Sequence, residues 1–185
     1  MANTVVVTVT SQIVGTGLVV PYNHEQGLQM RRPAPGSPGQ LVLYQVPLYN
    51  VCIEGARTYK AVRFAVRNTG AIPTPRGCDA GLSHARTCVP TWVPNYSPHS
   101  FNGIARLGAW RLLAGKGFLI HEGADSRRRE VGGSIGCIEI VDGGWNSFLE
   151  DIERLAGATC AQIGQSRLLT VKILTAPYPT ATLAR

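Results

Sequence analysis

Glycine and proline punctuate this chain too densely for a helical bundle. Its 185 residues hold 21 glycines and 12 prolines, and between positions 68 and 103 Pro73, Pro75, Pro90, Pro94 and Pro98 alternate with Gly70, Gly77, Gly81 and Gly103. Proline fixes φ and removes a backbone donor, and glycine loses the most freedom on ordering, so no long regular element crosses that stretch. Trp145 to Ala156 is the clear exception. It sets Phe148, Leu149, Ile152 and Leu155 at helical spacing, with Asn146 or Asp142 as cap and Gly157 as stop. Elsewhere apolar residues alternate or come in short runs. The expectation is a mainly β fold with one packed helix and a long Pro/Gly-rich loop.

The strands read as follows. Val5 to Thr10, VVVTVT, is strongly β, with Leu18-Val19-Val20 continuing it after a Gly15-Thr16-Gly17 turn. Residues 23 to 39 are a loop by composition, with His24, Arg31 and Arg32 solvated in it. Leu41 to Leu48 is a strand ended by Pro47, and Cys52 to Ile53 and Ala61 to Val66 are further strands, setting Arg63 and Arg67 on one face. Ile104 to Leu113 and Phe118 to His121 form a hairpin through Ala114-Gly115-Lys116-Gly117. Leu168 to Leu174 closes the sheet, and the tail from Ala176 is loose. Trp92, Tyr96, His99 and Phe101 give the irregular 68–103 segment something to bury. It is either a lid or substrate wall over a site, or a packed decoration.

The length and the 44% hydrophobic content fit one domain, 1–185, with a real core. The net charge of +7 comes with no Lys/Arg stripe interleaved with aromatics, so a nucleic-acid partner is not expected. No run reaches the roughly 18 apolar residues of a membrane span. Met1 to Val20 lacks a basic start and alternates Val with Thr, so it reads as a strand and not a signal peptide. A protein acting outside its cell would then leave by another route, or have lost a leader.

Cysteine is odd in number: Cys52, Cys78, Cys88, Cys137 and Cys160. With Cys137 set aside for chemistry, the other four allow three pairings, of which Cys78 with Cys88 is favoured; four buried thiols are the alternative. Cys78, His84, Cys88 and His99 invite a zinc reading, but they lack the C-x₂-C knuckle of common structural sites. No cofactor or metal is expected.

The chemistry concentrates in residues 118 to 141, FLIHEGADSRRREVGGSIGCIEIV. Phe118-Leu119-Ile120 leads as a buried strand into His121, and Ile138 to Val141 leaves Cys137 as a second strand. Antiparallel neighbours would bring imidazole and thiol to one lip of a sheet. A thiol within reach of an imidazole is the minimum apparatus for covalent acyl transfer, because His takes the proton and leaves a nucleophilic thiolate. Gly132, Gly133 and Gly136 let the backbone turn closely, so the amides of Ile135, Gly136 and Cys137 are candidate oxyanion donors. Ser134 is a turn or site-wall hydroxyl, supporting the loop or touching substrate.

This ordered set resembles the L,D-transpeptidase (YkuD-like) catalytic domain. His121 and the run Ser134-Ile135-Gly136-Cys137-Ile138, whose Cys137 lies sixteen positions on, are similar to its signature. Thr74-Pro75-Arg76-Gly77 looks like its TPxG segment, Leu107-Gly108 its LG strand, and Ile120-His121-Glu122-Gly123 its IHG element. The resemblance covers about residues 71 to 141. It implies an L,D-transpeptidase-like β-sandwich, Cys137 as nucleophile, His121 as base, and peptidoglycan stem peptides as substrate. It also implies that a backbone carbonyl near the histidine, from Glu122 or Gly123, holds the second ring nitrogen.

Two positions depart from the pattern. Ile135 stands where many members have a basic residue, and Glu139 where wall-building enzymes carry Arg or Asn. On the site face Glu139 would repel an anionic donor and raise the thiol pKa; pointing away it would be surface. The expectation from strand alternation is that it lies opposite Cys137. Arg127, Arg128 and Arg129 are a solvated face, or one of them, Arg129 above all, binds a substrate carboxylate; Glu122 is a further substrate contact. An acidic residue at 139 resembles the type VI secretion effector variants. That implies an antibacterial L,D-carboxypeptidase or D-amino-acid exchange activity in a periplasm or cell wall, and an immunity protein as partner. The alternatives are a resident enzyme making 3,3 cross-links and a catalytically inactive wall-binding domain.

Overall fold

The structure, a computed structural model, describes residues 3–23, 28–29, 33–34, 37–41, 43–66, 78–96, 106–128 and 130–184. Its first element, β1 (Val5–Val19), shows how the sheet is written in the sequence. Val5, Val7 and Val9 are buried while the residues between them are half-exposed, as a two-residue repeat requires. The Gly15-Thr16-Gly17 segment does not turn. β1 runs straight through it against β2 (Tyr44–Ile53), with register shifts between Val9 and Ile13 and between Ile13 and Gly15 that absorb the irregularity as bulges. Pro47 likewise does not end β2. It sits opposite Thr16, and β3 (Thr58–Val62) pairs with β2 only from Leu48 onward, so the missing N–H falls where no ladder bond to β3 is made.

The remaining strands are β4 (Phe64–Val66), β5 (Cys78–Gly81), β6 (Arg86–Cys88), β7 (Thr91–Val93), β8 (Ala109–Arg111), β9 (Leu119–Glu122), β10 (Ile138–Ile140), β11 (Leu169–Ile173) and β12 (Thr182–Leu183). One large sheet runs β6-β11-β1-β2-β3-β10-β9-β8-β7, with β12 also on β2; β4 pairs with β5 apart from it. Two further short pairs join Tyr22–Asn23 to Leu28–Gln29 and Pro33–Ala34 to Ser37–Leu41. The expected strand over 61–66 is split at Arg63 into β3 and β4. The fold is mainly β.

Apolar residues fill both faces of the sheet. One face carries Val7, Val51, Ala61, Ile120, Ile138 and Ile140 under two helices, α1 (Trp145–Ala156) and α2 (Cys160–Ser166). The other carries Val19, Val46, Leu48, Val62 and Val141. Helix α1 lies where its spacing predicts it and ends on Gly157 in the left-handed conformation, φ 66°. Its N-cap is Gly144, with no side-chain cap bond; Asp142 instead accepts from the Ser126 hydroxyl at 2.6 Å, and Asn146 accepts from the Arg106 amide at 2.9 Å. Helix α2 was not expected. Thr159 and Gln162 close a reciprocal capping box at its start.

Two other expectations change. The tail is docked, with Thr182–Leu183 paired to β2 and Ala176 and Ala181 buried, because small residues there fit against the sheet. All five cysteines are free, and Cys78 and Cys88 sit in different apolar clusters. Among the described residues no group of three His, Cys, Asp or Glu is arranged to hold a metal; His99 of the zinc reading lies outside them. Arg67, His24, Arg31, Arg32, Phe101 and the Thr74–Gly77 segment also lie outside the described residues. No helix among the described residues is long and apolar enough to cross a membrane.

Candidate active site

β9 and β10 are neighbours, but parallel, with Ile120 opposite Ile138, His121 opposite Glu139 and Glu122 opposite Ile140. The expected antiparallel pairing fails because the connection is long enough to carry the chain back to the same end of the sheet. On the way it touches β1, where Val19 bridges Gly132 and the Val20 amide donates to the Gly132 carbonyl at 2.9 Å. The hairpin expectation holds for its other flank, since β8 pairs antiparallel with β9.

Pleating then sorts the side chains. Ile120, Ile138 and Ile140 point into the core beneath α1. His121 and Glu139, one residue out of phase with them, take the other face, and Cys137 joins Ala109 and Leu119 in a small cluster on it. Two residues is one full strand period, so Glu139 lies on the same face as Cys137. The expectation that it lies opposite, or at the surface, is corrected: Glu139 is 0% exposed.

The imidazole is oriented by main chain. His121 Nδ1 lies 2.6 Å from the carbonyl oxygen of Glu122, and a carbonyl can only accept. Nδ1 therefore carries a proton, and whenever the ring is neutral this leaves the lone pair on Nε2. Tyr96, from the segment after β7, lies over this ring at a centroid distance of 5.3 Å. Sequence reasoning assigned it only to the irregular 68–103 segment; its aromatic character was the signal that it packs. Burial, then the charges of Cys137 and Glu139, push its hydroxyl up to about 12.

Cys137 is buried, and its thiol donates to the Gly117 carbonyl at 3.3 Å. Burial pushes the thiol up to about 11; the Leu119 amide opposes that and the Glu139 charge adds to it. Ser134 locks the turn, its hydroxyl donating to the Cys137 carbonyl at 2.8 Å and accepting from the Gly136 amide at 2.9 Å. This fixes Ser134 as loop support. It also commits the Gly136 N–H, expected as an oxyanion donor, to that hydroxyl. Gly136 has φ +104°, and a Cβ on it would come within 3.0 Å of the Gly81 nitrogen and the Phe118 ring. The Ile135 side chain, beside it, is exposed.

Gly123 donates its amide to Ile140 at 2.8 Å and packs so tightly that a Cβ on it would meet Glu139 Cβ at 2.8 Å. The carboxyl of Glu122 is half-buried and is pushed up to about 7 by burial and by Glu130, against the pull of Arg128. Arg127 is not a free surface cation. Its Nε and Nη2 bond the two oxygens of buried Asp125 at 2.9 and 2.8 Å, and Nη2 also donates to the Asp142 carbonyl at 2.7 Å. That holds the Asp125 carboxyl below the usual range. Arg128 is exposed, and Arg129 lies outside the described residues.

Beside this cluster a cavity of about 430 Å³ opens on the same sheet face. Leu18, Leu48, Val62 and Val141 form its apolar wall, and Gly132 stands between it and the Glu139 carboxyl. Comparison with protein-family models, with curated proteins and with solved structures finds no match.

Proposed function

We propose that this chain is a cysteine-dependent acyl transferase acting on peptidoglycan stem peptides, with an L,D-transpeptidase-like β-sandwich as its fold. The observation that carries the reading is the His121 tautomer. Glu122 fixes Nδ1–H, which leaves Nε2 as a base on the face that Cys137 shares. In the reaction Nε2 takes the thiol proton and Sγ attacks an amide carbonyl carbon. The Sγ–C bond forms, the C–N bond breaks, and the proton passes to the leaving amine. An amine or water then resolves the thioester. The ordered motifs through Cys137 supply the substrate class.

By the resemblance, an acidic residue at position 139, where wall-building enzymes carry Arg or Asn, goes with trimming or D-amino-acid exchange on tetrapeptide stems over cross-linking. The setting proposed is that of an antibacterial effector of the type VI kind, acting in a periplasm or cell wall and matched by an immunity protein. The test is mass spectrometry of purified muropeptides incubated with the protein. Shortened or exchanged stems are expected; abundant new 3,3 cross-links without shortened stems would overturn that direction.

A second reading, an inactive wall-binding domain, is favoured by the buried, raised thiol and the committed Gly136 amide. Cys137 unreactive to iodoacetamide at neutral pH, together with unchanged muropeptides, would establish it over the first.

A further inference from the structure

Among the described residues the buried polar or charged side chains are Arg63, His121, Asp125, Ser134, Glu139 and Asp151. Arg63, Asp125, Ser134 and Asp151 each make bonds that explain them structurally. Glu139 differs, because the backbone is built around it. A Cβ at Gly123 would lie 2.8 Å from its Cβ, and a Cβ at Gly132 would lie 3.2 Å from its Oε2. The Gly133 amide lies near enough to favour its charged form, against burial. Three glycines on the β9–β10 connection thus give this carboxyl its space and a favourable backbone dipole, next to the imidazole.

Among the described residues its titratable neighbours are Cys137, just before β10, His121 on β9 and Tyr96 in the segment after β7; β3 sets Val62 opposite it. We infer that Glu139 is a positioning residue that governs ionisation of the Cys137–His121 pair, a role that rests on the nucleophile reading above. A carboxylate here opposes a thiolate and favours an imidazolium; a neutral carboxyl does neither. Burial pushes this carboxyl up to about 8, so it keeps its proton at neutral pH and leaves the thiolate unopposed. Above that pH the new negative charge works against the nucleophile. The carboxyl is a built-in brake on alkaline activity.

The test is the pH dependence of Cys137 alkylation by iodoacetamide, with the modified site located by peptide mass spectrometry, in wild type and Glu139→Gln. Glutamine keeps the shape and has no charge at any pH. The Cys137 inflection should move down by about one pH unit in the variant, the size expected for a partly screened charge at this range. A residue of merely structural importance would lower the rate without moving the inflection. A reactive Cys137 with an unmoved inflection would overturn the role of Glu139 and leave the nucleophile reading standing. A Cys137 silent at every pH would overturn both. A second measurement serves even where Glu139→Gln does not fold. In a Glu122→Gln background, which removes the other raised carboxyl of the site, infrared difference spectra should show a buried protonated carboxyl at pH 7 that is lost by about pH 9. A carboxyl already ionised at pH 7 would overturn the inference.

Discussion

His121 is tied to its own successor in the chain, Nδ1 lying 2.6 Å from the Glu122 carbonyl oxygen. Because this partner is backbone, no substitution of the Glu122 side chain removes it, and the tautomer is a property of the strand end. His121→Ala should therefore lower the proposed acyl transfer by roughly 10²–10⁴-fold, the usual worth of a positioned base. Turnover should partly recover at high pH, where solvent deprotonates the thiol. Lack of recovery would make His121 structural.

Cys137→Ala should abolish turnover and leave the fold in place. The side chain packs in a small cluster with Ala109 and Leu119, edged by Tyr96, so the loss of stability should stay near about 1 kcal/mol. A variant keeping more than a few per cent of wild-type muropeptide turnover would remove Cys137 as nucleophile.

Asp151 should control acid stability. It accepts from the Tyr59 hydroxyl at 2.7 Å, Arg57 Nε at 2.8 Å and Arg154 Nη2 at 3.2 Å. The Arg57 bond, then the other donors, hold its carboxyl well below the ordinary range against the effect of burial. A depressed folded pKa means the unfolded chain binds the proton first. The stabilisation is thus complete above about pH 4 and is lost as pH falls toward the folded value. Both arginine side chains are more than half exposed, so solvent screens much of the pairing. Asp151→Asn should cost about 1–2 kcal/mol at pH 7 and flatten the fall of the urea midpoint between about pH 4 and 2. A shallower residual slope should remain from Glu153, which Arg106 holds down at about 2. An unchanged slope in the variant would contradict this.

Local signals were readable in the sequence where a single period decides the structure. Val5-Val7-Val9 and the apolar stripe of α1 sort themselves by repeat length, and Gly157 stops the helix as only a left-handed residue does so cheaply. Helix α2 was also written, in Thr159 and Gln162, but seven residues are too few for an apolar stripe to stand out. What could not be read was set by long-range geometry. The direction of β10 relative to β9 depends on a connector that reaches back to Val19, and Tyr96 reaches His121 from 25 positions away in the chain. The commitment of the Gly136 amide to Ser134 was local, but only the backbone turn reveals it. The face of Glu139, by contrast, follows from the two-residue period alone.

Gly164→Ala gives a sharper case of tertiary packing against local preference. Alanine is favoured over glycine inside a helix by about 1 kcal/mol. Here, however, a Cβ would lie 2.9 Å from both the nitrogen and the Cβ of Trp92, where α2 rests on β7. One of those atoms is backbone and cannot rotate away, and forced overpacking costs about 1–3 kcal/mol. The clash should win. The variant should unfold at a lower urea concentration than wild type, and a stabilised Gly164→Ala would show that α2 and β7 separate freely.

Arg63 tests whether a buried cation can hold a sheet together through carbonyls alone. It is 0% exposed, and its guanidinium lies over the Phe64 ring at 5.1 Å. Its Nε and Nη2 donate to the Leu82 carbonyl at 3.2 and 2.8 Å, Nη1 donates to the Thr10 carbonyl at 2.8 Å, and Nη2 also reaches the Leu174 carbonyl. These acceptors come from β1, from the segment after β5 and from the end of β11. One planar fork thus fastens three chain segments. Lysine keeps the charge but offers a single nitrogen on a shorter reach, so at least two buried carbonyls would lose their donor. At about 1–3 kcal/mol for each unsatisfied group, Arg63→Lys should cost roughly 2–6 kcal/mol. Amides of β11 near Leu174 should also lose hydrogen-exchange protection ahead of those in α1. If Arg63→Lys unfolds at the wild-type urea midpoint with the same exchange pattern, the clamp contributes nothing, and the three segments are held by their apolar faces instead.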